Sequence, residues 1–168
     1  MGIVNVTPDS FSDGGRYLCN KKALSHSISL INQGADIIDI GGESSRPGSQ
    51  PITVKDEINR VIPVISALRA KHSKILISID TYKSEVAKEA LEAGADIIND
   101  ISSMRNDLKM VHLVQNNKVP IILMHMRGTP QNMQKLTNYN DIVNDILLFF
   151  KKRIDYAKSF DILDNQII

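Results

Sequence analysis

The stretch G-A-D-I-I-D at residues 34–39 decides the fold, because it returns as G-A-D-I-I-N at residues 94–99. In each copy the glycine can end a helix, and the apolar run behind it is typical of a buried strand. The copies lie two units apart in a chain where strand-like and helix-like segments alternate at intervals of roughly 30 residues. This alternation predicts a parallel sheet with helices packed on its outside.

The alternation predicts five strand–helix units. Apolar runs predict strands at residues 1–6, 35–40, 75–79, 95–98 and 119–124, and helical spacing predicts helices at 21–33, from 53 onward, and at 83–93, 108–116 and 139–159. Thr53 suits an N-cap, and Pro63 is expected to bend or divide the helix that follows. A sixth strand is expected to begin within residues 162–168. In the last helix we expect an inward face made of Ile142, Ile146, Leu147, Phe150 and Ile154.

Two architectures satisfy this pattern: an open doubly wound sheet and a (β/α)₈ barrel of the TIM type. No glycine-rich dinucleotide-binding fingerprint follows the first strand, which weighs against the doubly wound sheet. Polar residues lie at or near the carboxyl end of each predicted strand, where a barrel builds its active site. The pattern therefore favours an α/β barrel with a site that draws on Asn5, Asp39, Asp80, Asn99 and His125.

Composition excludes several classes of function. With 168 residues and 42% hydrophobic content, a single domain over residues 1–168 can bury a core. A net charge of +1 gives no basic surface for nucleic acid or for a membrane. No apolar run is long enough to span a bilayer, and the N-terminal residues lack the pattern of a signal peptide. The single cysteine, Cys19, fits a reducing compartment, so we expect a cytoplasmic protein.

The first fifteen residues, M-G-I-V-N-V-T-P-D-S-F-S-D-G-G, combine a strand with a polar loop. The strand ends before Pro8, which has no amide hydrogen for a sheet ladder. Asn5 is the one polar residue among apolar, β-branched neighbours, and a buried amide needs a partner or a cavity. It can be a satisfied core residue, but the polar loop that follows favours an asparagine that faces a ligand.

This opening stretch resembles the opening signature of dihydropteroate synthase, the transferase of folate biosynthesis. Three later stretches agree in order and position: G-G-E-S-S-R-P-G at residues 41–48, S-I-D-T at 78–81, and I-I-N-D at 97–100. Each motif alone is weak, but together they are specific. The resemblance covers nearly the whole chain and corresponds to about the N-terminal two thirds of the family's length.

The resemblance implies a role for each matching residue. Asn5 is expected to help hold Mg²⁺ and the pyrophosphate of the pterin substrate. Ser45 and Arg46 are expected to bind the pyrophosphate, and Pro47 to line the p-aminobenzoate pocket. Asp9 and Phe11 are expected to close over the site together with Arg46. The residues expected to bind or line the pterin are Asp80, Asn99 and Met124, although Asp80 could instead cap the following helix, and a strand methionine is often only core.

The implied reaction transfers a pterin-methyl group from its pyrophosphate ester to the amine of p-aminobenzoate, with release of pyrophosphate. Such chemistry needs positioning and electrostatic stabilisation of the leaving group, and no protein nucleophile. The resemblance does not assign a catalytic base to His125. It implies a homodimer, small-molecule substrates and no nucleic-acid partner.

The unit count does not complete a barrel. Five units leave about three missing from a barrel of roughly 250 residues, and the family's later motifs, which supply further pterin and anion contacts, have no counterpart here. Three readings therefore stay open. The chain is the N-terminal portion of a dihydropteroate synthase, a related methyltetrahydrofolate-type pterin-binding module, or a truncated remnant without catalysis. The loops S-F-S-D-G-G at residues 10–15 and S-R-P-G at residues 45–48 favour the first over the second.

Overall fold

The computed structural model describes residues 1–7 and 15–168, and the side chains of residues 1–7 and 19–168. Strands and helices alternate along the chain as β1 Gly2–Asn5, α1 Gly15–Asn32, β2 Ile37–Gly41, α2 Val54–Lys71, β3 Leu76–Asp80, α3 Ser84–Glu92, β4 Ile97–Asp100, α4 Lys109–Asn117, β5 Ile121–Leu123 and α5 Ile142–Lys158. Short 3₁₀ turns cover Met133–Lys135 and Asp164–Gln166. The predicted alternation is confirmed.

The strands form one parallel sheet in the order β1-β2-β3-β4-β5. Each strand therefore pairs with the next along the chain, which is the strand order of a TIM barrel and not that of a doubly wound sheet. The described residues make up five of the eight units of such a barrel. The expected α/β architecture, an incomplete (β/α)₈ barrel, is confirmed.

The hydrophobic core lies between the outer face of the sheet and the helices. Alternate strand positions point outward, and the buried Val4, Ile40, Ile79, Ile98 and Ile121 form this face. The helices cover it with buried aliphatic residues, among them Val61, Ile65 and Leu68 of α2 and Val86, Ala87 and Ala90 of α3. Packing of this kind fixes the positions of the strand ends, and with them the positions of the polar residues that follow.

Three expectations about the helices need correction. Pro63 does not divide α2, which runs unbroken from Val54 to Lys71 with Thr53 as its N-cap. Helix α1 begins at Gly15, six residues before its predicted start. Helix α5 does not bury its whole apolar stripe: Ile142 and Leu147 are exposed. Only its C-terminal half packs on the described chain, where Phe150 and Ile154 contact the core and Ala157 is buried.

The expected sixth strand is present as a single parallel bridge. Ile167 pairs with Ile121, and the Ile168 N–H donates a hydrogen bond to the Ile121 carbonyl at 3.0 Å. The chain thus returns to the free edge of β5, as the next strand of a barrel does. In the part of the chain that the structure describes, no helix is long and apolar enough to cross a membrane.

Candidate functional site

Four residues form a layer on the inner face of the sheet, at the carboxyl ends of the strands. The register pairs Asn5 with Gly41, Gly41 with Asp80, and Asp80 with Asn99. Residues paired across parallel strands point to the same face, so the three polar side chains share the inner face, with Asn5 and Asp80 beside the glycine. The structure therefore brings together three of the predicted site residues from β1, β3 and β4.

Asp80 is the most unusual group of this layer. Its carboxylate accepts no hydrogen bond from any residue in the ranges 1–7 and 15–168. Burial raises the pKa of Asp80 to about 8, and repulsion from Asp39, Glu57, Asp100 and Glu43 adds to the effect. A carboxyl group with a strongly raised pKa at the end of a barrel strand is typical of a functional site.

The capping alternative for Asp80 is wrong. Helix α3 has Lys83 as its N-cap residue, with no side-chain cap of its own. The amide of Ser84 instead donates to Asp107 Oδ2 at 2.8 Å. The side-chain hydroxyl of Thr81 accepts a hydrogen bond from the Lys83 N–H at 3.2 Å. Because other groups satisfy the helix terminus, the Asp80 carboxylate remains available to the site.

Asn99 is held from below by Asp39. Its Nδ2 donates to Asp39 Oδ2 at 3.1 Å, although 60 residues separate the two in sequence. Asp39 and Asn99 hold the same place in the repeated stretches at residues 34–39 and 94–99. Asp39 is nevertheless buried one layer deeper, because it pairs in register with Ile3 and Ser78. Burial raises the pKa of Asp39, and the neighbouring Ser78 hydroxyl and the hydrogen bond from Asn99 oppose that rise.

A buried ionic network anchors the loop at residues 42–53, between β2 and α2. Glu43 accepts hydrogen bonds from the Ile52 N–H and the Tyr82 hydroxyl, both at 2.8 Å, and from Lys83 Nζ at 2.6 Å. Lys83 also pairs with Glu57 at 2.6 Å and donates to the Ile52 carbonyl at 2.9 Å. The base of the loop is thus fixed by charged groups that lie away from solvent.

The tip of the same loop carries Ser45, Arg46 and Pro47, and all three are exposed. Ser45 lines a shallow recess together with Glu43 and Asp80. The guanidinium of Arg46 makes no hydrogen bond or ion pair with the described side chains or backbone. A fixed loop base with a free arginine at its tip suits the capture of an anion.

Pro47 and Met124 border a second cleft of about 340 Å³, which also contains His125, Arg127 and Tyr139. His125 packs edge-on against Phe149, with ring centroids 4.8 Å apart, so its ring takes part in aromatic packing beside the cleft. The Gly48 N–H donates to the Pro130 carbonyl at 2.9 Å, which joins this cleft to the loop at residues 42–53. Asp9 and Phe11 lie outside the described residues.

Sequence reasoning missed the network around Lys83. Glu57 lies in the first turn of α2, where an acidic residue suits the helix dipole, but it is only 1% exposed. Glu57, Val61 and Val64 follow the i, i+4, i+7 spacing of one helix face, and the two valines are buried. A carboxylate on an apolar stripe needs a cation, and this signal could have pointed to a buried lysine.

The oxygen donors of the layer fit a magnesium ion that keeps most of its shell of water and phosphate. A Cβ placed on Gly41 would lie 3.2 Å from Asp80 Oδ2 and 3.4 Å from Asn5 Oδ1, so the glycine keeps the space beside these two oxygen atoms open. Within residues 1–7 and 15–168, no group of three or more His, Cys, Asp or Glu side chains could hold a metal ion. Mg²⁺ suits such a sparse site, because it binds through one or two protein oxygens.

The chain matches a family model described as pterin binding enzyme over residues 1–168. It is 47% identical over 168 residues to the dihydropteroate synthase of Synechocystis sp., covering all of this chain and 58% of that protein. It is similar to the Xanthomonas albilineans dihydropteroate synthase solved with 4-aminobenzoic acid, at a TM-score of 0.90 and 42% identity, covering 99% of this chain and 58% of the other. A Yersinia pestis dihydropteroate synthase solved with a sulfonamide drug gives a TM-score of 0.90 and 42% identity, covering 99% of this chain and 60% of the other.

These similarities confirm the resemblance to dihydropteroate synthase that the sequence motifs indicate. The chain spans 58% of the length of the Synechocystis relative and 58–60% of the two solved structures. The layer of Asn5, Asp80 and Asn99 and the anchored loop at residues 42–53 belong to this shared portion.

Proposed function

The chain belongs to the family of pterin-binding enzymes, and from this premise we propose its function. The chain forms the part of a dihydropteroate synthase that binds the pterin and the pyrophosphate. That enzyme is a transferase that joins a pterin-methyl pyrophosphate to p-aminobenzoate. The observation that carries this proposal is Asp80, an inward-facing carboxylate without a hydrogen-bond partner among the described residues and with a pKa raised to about 8. The relatives and solved neighbours named dihydropteroate synthase support it.

Each site residue has a role in the proposed reaction. Asp80 accepts N–H groups from the edge of the pterin, and Asn99 offers both a donor and an acceptor to the same heterocycle. Met124 packs against the ring. Ser45 and Arg46 bind the pyrophosphate, where the planar guanidinium can make paired hydrogen bonds to phosphate oxygens. Pro47 lines the p-aminobenzoate side, and Phe11, which lies outside the described residues, is proposed as a further substrate-binding residue.

Asn5 is proposed to hold Mg²⁺ together with the pyrophosphate oxygens. When bound, the ion supplies positive charge that offsets the charge developing on the leaving pyrophosphate. The protein contributes the neutral amide oxygen of Asn5, and Gly41 provides the space beside it. The remaining proposals are a homodimer as the assembled state and a role in folate biosynthesis.

The proton balance of binding tests the role of Asp80. With a pKa of about 8, Asp80 is mostly protonated in the free chain near neutral pH. Because the pterin edge requires the ionised carboxylate, binding near pH 7 is expected to release close to one proton, and near pH 9.5 close to none. Calorimetry in two buffers of different ionisation enthalpy measures this number. Tight binding near pH 7 with no proton release would contradict the assigned role of Asp80, and absence of binding would overturn the proposed function.

A glycine substitution tests the proposed position of the metal and pyrophosphate. Gly41→Ala is expected to preserve folding, because Gly41 has no positive φ, but its new methyl group would contact Asp80 and Asn5. We expect the magnesium-dependent affinity for the pterin pyrophosphate to fall about 10-fold or more. The matched control is Gly2→Ala on the outer face of β1, where the methyl group meets Leu30 3.0 Å away. The control is expected to lower the melting temperature and leave affinity unchanged, and the reverse pattern would contradict the placement.

A further inference from the structure

Beneath the layer of Asn5, Asp80 and Asn99 lies a second polar layer. Asp39 and Ser78 are paired in register on β2 and β3, and both are almost fully buried. Asp39 Oδ1 and Ser78 Oγ are buried without a well-formed hydrogen bond among the residues in the ranges 1–7 and 15–168, although the nearby Ser78 hydroxyl opposes the rise in the pKa of Asp39. A buried carboxylate disfavours folding unless hydrogen bonds compensate it, so the contact of Asp39 with Asn99 is a main feature of this layer.

The other oxygen of Asp39 controls Asn99. The two ends of a side-chain amide differ in chemistry, since one donates hydrogen bonds and the other accepts them. The Asn99 amide turns its NH₂ group toward Asp39, and Asp39 Oδ2 accepts its hydrogen bond at 3.1 Å. That contact uses one amide hydrogen and leaves the second hydrogen and the carbonyl oxygen in a fixed arrangement.

We propose that Asp39 is a positioning residue that fixes the orientation of the Asn99 amide, and so sets which donor and acceptor pattern the site recognises in a pterin. This inference deepens the proposed function and rests on it for the ligand. Asp39 itself does not touch the ligand, because it is 4% exposed and lies one layer below the residues that line the site. In its absence the amide can turn over and present the reverse pattern to the heterocycle.

The substitution Asp39→Asn separates orientation from packing. Asparagine has nearly the same shape, but it can donate as well as accept, so the Asn99 amide loses its single allowed orientation. The matched controls are Ser78→Ala, which alters the same buried layer without touching the bond to Asn99, and Asp36→Asn, the same change at the exposed start of the strand. The Asp39→Asn variant is expected to fold, because it removes a buried charge.

Two measurements test the proposal. In ¹⁵N-edited NMR spectra, the side-chain amide signals of Asn99 are expected to move in Asp39→Asn and to keep their positions in Asp36→Asn and Ser78→Ala. In calorimetry, the affinity for a pterin pyrophosphate is expected to fall about 10-fold or more in Asp39→Asn, and less than about threefold in the two controls.

The two measurements also separate this inference from the proposed function. Unchanged Asn99 amide signals in Asp39→Asn would overturn the positioning role, whatever the ligand. Shifted signals with wild-type affinity would also overturn it, because the orientation would then not matter for recognition. If the wild-type chain binds no pterin, the proposed function fails, and the NMR comparison alone decides whether Asp39 orients Asn99.

Discussion

Asp80→Asn is expected to abolish pterin binding while it stabilises the fold. The substitution removes the carboxylate that is proposed to accept the pterin N–H groups, and an amide cannot accept on both of its ends. The affinity for a pterin pyrophosphate is therefore expected to fall more than about 100-fold. Calorimetric titration of the wild type and the variant measures this loss. Affinity within about threefold of the wild type would remove Asp80 from the site.

The stabilising effect follows from the raised pKa. In the unfolded chain an aspartate has a pKa of about 3.9, whereas burial and neighbouring carboxylates raise the pKa of Asp80 to about 8 in the fold. Between these values the folded chain keeps a proton that the unfolded chain has released. The free energy of unfolding contributed by this group therefore falls as the pH rises from about 4 to about 8.

Asp80→Asn removes this pH-dependent loss. Near pH 4.5 the free energies of unfolding of variant and wild type are expected to be similar, because Asp80 is protonated in the fold. Near pH 8.5 the variant is expected to be more stable by about 2 kcal/mol, because Asp80 is partly exposed and solvent screens part of the repulsion. Urea denaturation at both pH values checks this, with the exposed Asp36→Asn as control. A variant less stable than the wild type near pH 8.5 would show that Asp80 is not repelled in the fold.

The second large effect concerns Lys83. Lys83→Met leaves Glu43 and Glu57 facing each other without a cation, and both carboxylates are largely shielded from water, with side-chain exposures of 13% and 1%. Removing one partner of a buried ion pair destabilises a protein by about 3–5 kcal/mol. Urea denaturation near pH 7 should show a loss of this size. The matched control is Lys88→Met, whose pair with Glu92 at 3.7 Å is exposed, and which is expected to change stability by less than about 0.5 kcal/mol.

A double variant tests whether the loss comes from the uncompensated charge. Lys83→Met combined with Glu57→Leu removes the cation and the more deeply buried anion together, so part of the lost free energy of unfolding is expected to return. A double variant less stable than Lys83→Met alone would show that Glu57 stabilises the fold through other contacts. The base of the loop at residues 42–53 is expected to loosen in both variants, because Glu43 loses its bond to Lys83.

The sequence predicted the strand ends of the site well, and the physical reason is local. Asp80 and Asn99 each follow an apolar run, and Asn5 interrupts one near its end. Parallel strands bring their carboxyl ends to one edge of the sheet. The period-2 pattern of side chains then puts them on one face. Even so, the depth of Asp39 was not predicted, because the register between neighbouring strands comes from packing of the whole sheet and not from one strand alone.

Contacts between segments that are distant in sequence could not be predicted. Lys83 joins Glu43 and Glu57, which lie 40 and 26 residues away in sequence, and no local pattern encodes that meeting. In helix α5 the local pattern was recognised, but it did not show whether the apolar face is buried. Its helical stripe predicted an inward face that includes Ile142 and Leu147, yet both are exposed, because periodicity shows that a face is apolar but not what covers it.

A chemical-shift map of the ¹⁵N-labelled chain, titrated with a pterin pyrophosphate and Mg²⁺, tests most directly whether the carboxyl ends of the strands form a preformed site. We expect the perturbed backbone amides to cluster at Asn5, Gly41, Asp80 and Asn99 and along residues 43–49, and we expect chelation of Mg²⁺ to weaken binding. Perturbations confined to the opposite ends of the strands, or a spectrum that does not change at saturating ligand, would contradict it.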